Sequence, residues 1–483
     1  MPVTSAYRPD PRFPDLGPGF ADAVRPADFP AALPRWFNAR WAARIGLDAL
    51  DDAEKEGCFA RFRPLPENLK EPLALRYHGH QFRVYNPDIG DGRGFLYAQL
   101  RDDLSRLLDL ATKGSGRTPY SRSGDGRLTL KGGVREILAA SMLEAQGVYT
   151  SKAFALFETG ESLHRGDEPS PTRSSVLTRL GHSHIRFGTF QRLAFLGESE
   201  KIAPLVAHCA QHYHPHLAGL TGDALIGGFL HAVGQASARL AASWMAAGFV
   251  HGVLNTDNLT ITGESFDYGP WRFLPRSDPA FTAAYFDETG LYAFGRQPEA
   301  VGWALAQLAG ALSAIAPAEA LHPALHAFGP AYSAALIEAV HRRLGIAPVG
   351  VESLDLAFLQ ALFGWMGASG VGWAQFFHDW FSGEASAARA QASPAAALYA
   401  EPAFAPVEQQ LRSREPVRPE RLAHPYFARA TPADLVIETV EAIWAPIAER
   451  DDWSLFEATL KDIEAMRQAL DLRPEETRLA VQP

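Results

Sequence analysis

Cysteine is the scarcest side chain in this 483-residue sequence, with only Cys58 and Cys209 present. Two thiols in so long a chain build no disulfide framework, and they point to a reducing compartment, the cytosol. Positive charge is not in excess either: 45 Lys and Arg stand against 55 Asp and Glu, a formal net charge of −10. Without a general cationic field, nucleic acid is not an expected partner, and any anion site must be a local cluster. The start, Met1-Pro2-Val3-Thr4-Ser5, lacks a basic stretch followed by an apolar run, so no secretory leader is expected. Long apolar runs are also missing. The nearest approach, Val301 to Ala316, is interrupted by Gln307 and Ser313 and stopped by Pro317, and its alanines suit a buried helix. No membrane partner is expected.

What is present is ordinary globular material, 47% hydrophobic and 21% charged, long enough for two to four structural units. Residues 1–75 are proline-rich, with one loosely helical stretch from Pro34 to Leu50, and read as an N-terminal extension. Residues 76–190 change to short apolar runs between glycine turns with one embedded helix, an α+β segment. Residues 191–380 are dominated by helical periodicity, as in Ala224 to Phe249. Residues 381–483 begin with an Ala/Pro/Glu-rich linker between Ser382 and Arg418 and end in a helical tail.

Chemistry enters at Leu107 to Lys113, an alternating run that puts Ala111 and Lys113 on one strand face before Gly114-Ser115-Gly116 ends the strand. Further on, Val134, Ile137, Leu138, Ser141, Met142 and Ala145 mark a helix, and its Glu136 has apolar or small neighbours. A half-buried carboxylate there calls for a cation, and Lys113 is the natural one; kinases aim a strand lysine at nucleotide phosphates in this way. The segment His251-Gly252-Val253-Leu254-Asn255-Thr256-Asp257-Asn258, followed by Asp267-Tyr268-Gly269, offers two oxygen ligands for a hard cation, Asn258 and Asp267. His251 and Asn258 keep the spacing of the kinase H-R-D-x-x-x-x-N loop, and Asp-Tyr-Gly stands in the place of D-F-G. One departure decides the mechanism. Where a kinase carries its catalytic aspartate this chain has Val253, which accepts no proton; either Asp257 beside the asparagine takes over as base or the reaction is rearranged.

Two glycine-arginine loops accompany these residues. Gly90-Asp91-Gly92-Arg93-Gly94 reads first as a hairpin turn that could also hold an anion, and Ser121 to Arg127 is similar. Neither has the G-x-G-x-x-G or G-x-x-x-x-G-K pattern. Arg179 and Arg186 put two permanent cations in one short stretch, suited to a triphosphate or to salt bridges. His208, His212, His214 and His216 crowd around Cys209, but they alternate around Tyr213 and Pro215 without a nearby carboxylate or second thiol, and a structural role is expected.

Together with Tyr77-His78-Gly79-His80-Gln81-Phe82, Lys113 to Arg122, Asp125-Gly126-Arg127, Arg135-Glu136 and Ser183 to Gly188, these segments closely resemble the selenoprotein O (YdiU) family, from about residue 70 to about residue 310. The resemblance implies an α+β, protein-kinase-like two-lobed fold that binds ATP in flipped orientation and transfers AMP to Ser, Thr or Tyr hydroxyls of proteins. It implies that Lys113, steadied by Glu136, contacts phosphates flanked by Arg179 and Arg186, and that Gly90, Gly92, Arg93, Asp125 and Gly126 line the nucleotide site. Asn258 and Asp267 would bind Mg²⁺, with Mn²⁺ as an alternative, and Asp257 would accept the proton. A γ-phosphoryl kinase and a nucleotide-binding pseudokinase scaffold are the rival readings. Family members often carry a cysteine or selenocysteine near the C-terminus; this sequence closes on Arg478 to Pro483 without a thiol, so thiol-based redox control is not expected.

Overall fold

The computed structural model describes residues 3–166 and 168–472. Met1, Pro2 and the closing Arg478 to Pro483, on which the leader and thiol expectations rest, lie outside the described residues. The strands are β1 (Ala21–Ala23), β2 (Leu33–Phe37), β3 (Leu73–Leu75), β4 (Gly79–Gln81), β5 (Val84–Asn86), β6 (Leu96–Arg101), β7 (Leu107–Lys113), β8 (Leu128–Thr129), β9 (Lys152–Leu163) and β10 (Thr172–Gly181). One mixed α/β architecture results, built on an antiparallel sheet of order β1-β3-β6-β7-β10-β9-β2, with β8 paired to β10 and β4–β5 a separate hairpin. Every residue of β7 is buried, Asp109, Thr112 and Lys113 included.

Both faces of the sheet need cover. On one side lies α3 (Leu130–Ala145), started by Thr129, whose Oγ1 accepts from Gly132 N at 3.1 Å. On the other side residues 1–75, expected as an extension, do structural work: α1 (Ala39–Arg44) and α2 (Asp52–Phe59) bring Trp41 and Phe59 into a core with Phe95, Tyr97 and Phe154. Phe59 and Phe154 meet edge to face at 5.3 Å between centroids. The stretch from Pro34 to Leu50 therefore splits between β2 and α1, because Trp36 and Phe37 are drawn into pairing with β9.

The helical part comprises α4 (Phe187–Phe195), α5 (Ile202–Tyr213), α6 (Gly222–Ala247), α7 (Gln297–Leu312), α8 (Ala318–Leu344), α9 (Glu352–Ser369) and α10 (Trp373–Asp379). Gly248 caps α6 at φ +66° and turns the chain into β11 (Phe249–Val250), which pairs with β12 (Arg272–Phe273). In α7, Val301, Ala304, Leu305 and Leu308 are fully buried. No helix among the described residues is long and apolar enough to cross a membrane. The segment expected as a linker is packed: α11 (Ala387–Gln391), α12 (Ala396–Tyr399) and α13 (Ala405–Ser413) occupy it, and Phe404, Val407 and Leu411 enter a core cluster. After these come α14 (Ile437–Arg450) and α15 (Ser454–Leu470), the latter packed on α3.

Glu264 lies buried behind the end of β10, where its Oε2 accepts from His182 N at 2.7 Å. Burial pushes its carboxyl up from 4.5 to about 7, against the opposing pull of Lys152. The folded state therefore holds this proton more tightly than the unfolded chain. Stability from this group is full below the unfolded value and is lost as pH rises through 7. Glu264→Gln keeps an acceptor for His182 N and removes the charge. Chemical denaturation should show it more stable than the parent at pH 8 by about 3 kcal/mol, with no gain at pH 4; equal stability at pH 8 would contradict the assignment.

Candidate active site

Strand β7 delivers Lys113 to its end with the side chain only 5% exposed, and α3 delivers Glu136, 3% exposed, to meet it. The ammonium forms an ion pair with Glu136 Oε1 and lies 2.8 Å from Asp267 Oδ1. Arg179, two residues before the end of β10 and paired in register with Ala111, reaches the same Asp267 Oδ1 at 3.4 Å. Burial alone would raise the Asp267 carboxyl, but Lys113, Arg179, Arg186 and Arg93 hold it well below the usual carboxylate range. Asp267 also has φ +63°, a strained left-handed backbone for a residue with a Cβ, which the surrounding cations overdetermine.

Arg186 organises the second half of the site. Its guanidinium lies over Tyr77 at 4.3 Å and Phe266 at 4.9 Å. It donates through Nη1 to the Asp257 carbonyl at 3.0 Å and through Nη2 to Asp91 Oδ1 at 3.1 Å. Asp257 is buried, and burial pushes its carboxyl up to about 6 against the opposing charge of Arg186. Asn258, on the same turn, donates through Nδ2 to the Val253 carbonyl at 3.0 Å, which leaves Oδ1 on the other arm of the amide for a ligand. His251 is fully buried with its ring 3.0 Å from the Phe266 carbonyl, and burial lowers its pKa. It ties the loop of Asp257 to that of Asp267.

The glycine loops behave differently from one another. A Cβ at Gly90 would sit 2.5 Å from the Tyr120 ring, and one at Gly92 would sit 2.9 Å from the Tyr120 carbonyl oxygen. These glycines close the loop onto its neighbour. Arg93 accepts from Gly114 N at 2.6 Å through its carbonyl, and its charge is felt by Asp267. Asp125 is bound by Arg165 at 2.9 and 3.0 Å, while Gly126, at φ +72°, packs on the backbone of Gly116. Lys113, Glu136, Arg179, Arg186, Asp257, Asn258 and Asp267 thus form one cluster, and Asp125 and Gly126 stand in a separate loop contact.

Sequence reasoning assigned no role to Asp91, the acidic member of the first glycine loop that anchors Arg186. It also passed over Asn255, whose Oδ1 accepts from Phe82 N at 3.0 Å and Tyr292 Oη at 2.9 Å. Thr256 accepts from His80 N at 2.8 Å, and a Cβ at Gly79 would lie 2.8 Å from Thr256 Oγ1, so the β4–β5 hairpin docks on this loop through its glycine. The segment Tyr77 to Phe82 was the available signal.

Within the cluster Arg179 Nε, Arg186 Nε and Asp257 Oδ1 are buried without a hydrogen-bond partner among the described residues. Two orphan donors and an orphan acceptor in one place are valences that phosphate oxygens and a hydroxyl group would fill. No group of three or more His, Cys, Asp or Glu among the described residues could hold a metal ion. One carboxylate and one amide suit Mg²⁺, which takes its remaining ligands from phosphate and water.

An ammonium, two guanidinium groups and carboxylates gathered in one buried cluster are a charge set suited to a phosphate anhydride. A sequence model of the family described as protein adenylyltransferase SelO matches residues 4–464. The chain is 43% identical over 483 aligned residues to the protein nucleotidyltransferase YdiU of Synechocystis, covering 94% of this chain and 98% of that one. It is 42% identical to the protein of the same description from Synechococcus elongatus, with 95% and 96% covered, and 37% identical to that of Pseudomonas putida, with 76% and 74% covered. The chain belongs to the SelO protein adenylyltransferase family. The likeness extends well beyond residues 70–310, into both termini.

Glu136→Ala leaves Lys113 buried with Asp267 as its one remaining carboxylate, and urea denaturation should show a loss of about 3 kcal/mol. Adding Lys113→Met to Glu136→Leu removes the charge imbalance between these two positions. The double variant should be more stable than Glu136→Ala; additive losses would show that the pair is not coupled.

Proposed function

We propose that this chain is an ATP-dependent protein adenylyltransferase of kinase-like, two-lobed design, residues 76–190 forming the strand-rich lobe and 191–380 the helical one. The reading is supported by a strand lysine paired to a helix glutamate, followed in order by Asn258 and Asp267, as in kinases. One observation carries the choice of reaction: Asp257 is buried in the cluster with Oδ1 unpartnered, while Val253 offers no acceptor where a kinase base would stand.

Lys113 and Arg179 hold the phosphates of ATP by charge, and Glu136 keeps the ammonium aimed. Asn258 and Asp267 would hold Mg²⁺ or Mn²⁺, which when bound neutralises phosphate oxygens. A protein Ser, Thr or Tyr hydroxyl oxygen attacks the α-phosphorus in line, its proton passing to Asp257 Oδ1. The new P–O bond forms as the bond to the bridging oxygen breaks, pyrophosphate leaves, and AMP stays on the protein. Arg186 acts through its hold on Asp91 and on the Asp257 carbonyl. Cys58 and Cys209, both buried and in no disulfide, fit a reducing compartment such as the cytosol.

Asp257→Asn should lower the rate of protein modification by roughly 10²–10⁴ while ATP still protects the protein in thermal melts. Lys113→Ala and Asp267→Ala should each abolish transfer and remain folded by circular dichroism. Full activity in either, or loss of ATP binding in Asp257→Asn, would overturn these roles.

A further inference from the structure

Apart from the catalytic cluster, a cavity of about 840 Å³ opens between the end of α5, one side of α6, the end of α8 and the β6–β7 turn. That volume suits a small molecule. None of Lys113, Glu136, Arg179, Arg186, Asp257, Asn258 or Asp267 lines it. The charged lining is one-sided: Arg101, Arg106, Arg239 and Arg342 face it with Glu338 as the single carboxylate. Arg101 and Arg106 are steadied from behind by Asp10 and Asp102, and Arg342 by the Gly147 carbonyl at 3.2 Å.

Five imidazoles, those of His182, His212, His214, His216 and His231, share the lining. Burial lowers the pKa of His182, His212, His214 and His216, and a neighbouring arginine acts in the same direction: Arg106 on His182, Arg101 on His212, and Arg239 on His214 and His216. Neutral rings of this kind both donate and accept hydrogen bonds. Leu104, Pro215, Ala236 and Leu240 supply apolar wall between the polar groups. These histidines form no metal-holding group among the described residues, and the guanidinium groups would repel a cation.

We propose that this cavity is a second small-molecule site that takes an organic phosphate, its phosphate set against Arg239 and Arg342 and an aromatic or apolar body against Leu104, Leu240 and the imidazoles. The assignment does not rest on the adenylyl-transfer reading. The two sites share a strand: β10 carries Arg179 and ends one residue before His182.

The test is calorimetric titration of the Lys113→Ala protein, with its catalytic cation removed, using phenyl phosphate, AMP and inorganic phosphate as separate probes. Saturable binding of phenyl phosphate or AMP is expected, weakened by about tenfold or more on adding Arg239→Gln or the exposed-site change His216→Ala. Hydrogen exchange should show ligand protection at 211–216 and 231–243. Absence of saturable binding by both organic probes, or binding unmoved by both substitutions, would overturn the site. Inorganic phosphate binding as tightly as either organic probe would overturn the assignment of the apolar wall.

Discussion

A single buried ammonium, that of Lys113, sets the terms for the rest of the candidate site. Taking it out of water is costly, and the cost is offset only if carboxylates meet it at close range from fixed elements. Glu136 does so from α3 and Asp267 from the loop after β11, so the sheet, the covering helix and the helical part are tied at one point. Two carboxylates on one lysine leave negative charge over, and Arg179 and Arg186 offset it. The same cations keep Asp267 ionised. Supporting contacts follow from this need: α15 packs on the back of α3, and Tyr268, next to Asp267, donates to Ser265 Oγ at 2.8 Å.

The other half of the site is a loop held by backbone rather than by charge alone. Arg186 grips the Asp257 carbonyl, His251 reaches the Phe266 carbonyl, and Asn255 and Thr256 receive the β4–β5 hairpin. These contacts fix the main chain and leave Asp257 Oδ1 without a partner. In the reaction proposed above, that buried and unsatisfied carboxylate oxygen receives the proton.

Much of this was legible without coordinates because the decisive segments are locally consistent. The run Leu107 to Lys113 is stopped by glycine, and β7 has those bounds. The periodicity that marks Val134 to Ala145 is the buried face of α3. Segments whose structure depends on distant partners were harder to read. Trp36 and Trp41 look like one helical face, yet the first lies in a strand next to β9 and the second in a helix over the sheet. Between Ser382 and Arg418 the alanines and prolines hide the spacing of Phe404, Val407 and Leu411, which α13 and its approach turn into the core. In the site, lysine, glutamate and metal-ligand candidates stood in a recognisable order. The Asp91 contact to Arg186 joins residues far apart in the chain and carries no local pattern.

The most direct measurement of the central claim follows the phosphorus. Purified protein would be incubated with Mg²⁺, a hydroxyl-bearing protein acceptor and ATP labelled on either the α- or the γ-phosphate, with Asp267→Ala as control. Protein-bound α-label that is lost in the control is the expected result. Protein-bound γ-label without α-label would contradict the account, because Lys113, Arg179 and Asp257 would then serve phosphoryl transfer from the opposite end of the nucleotide.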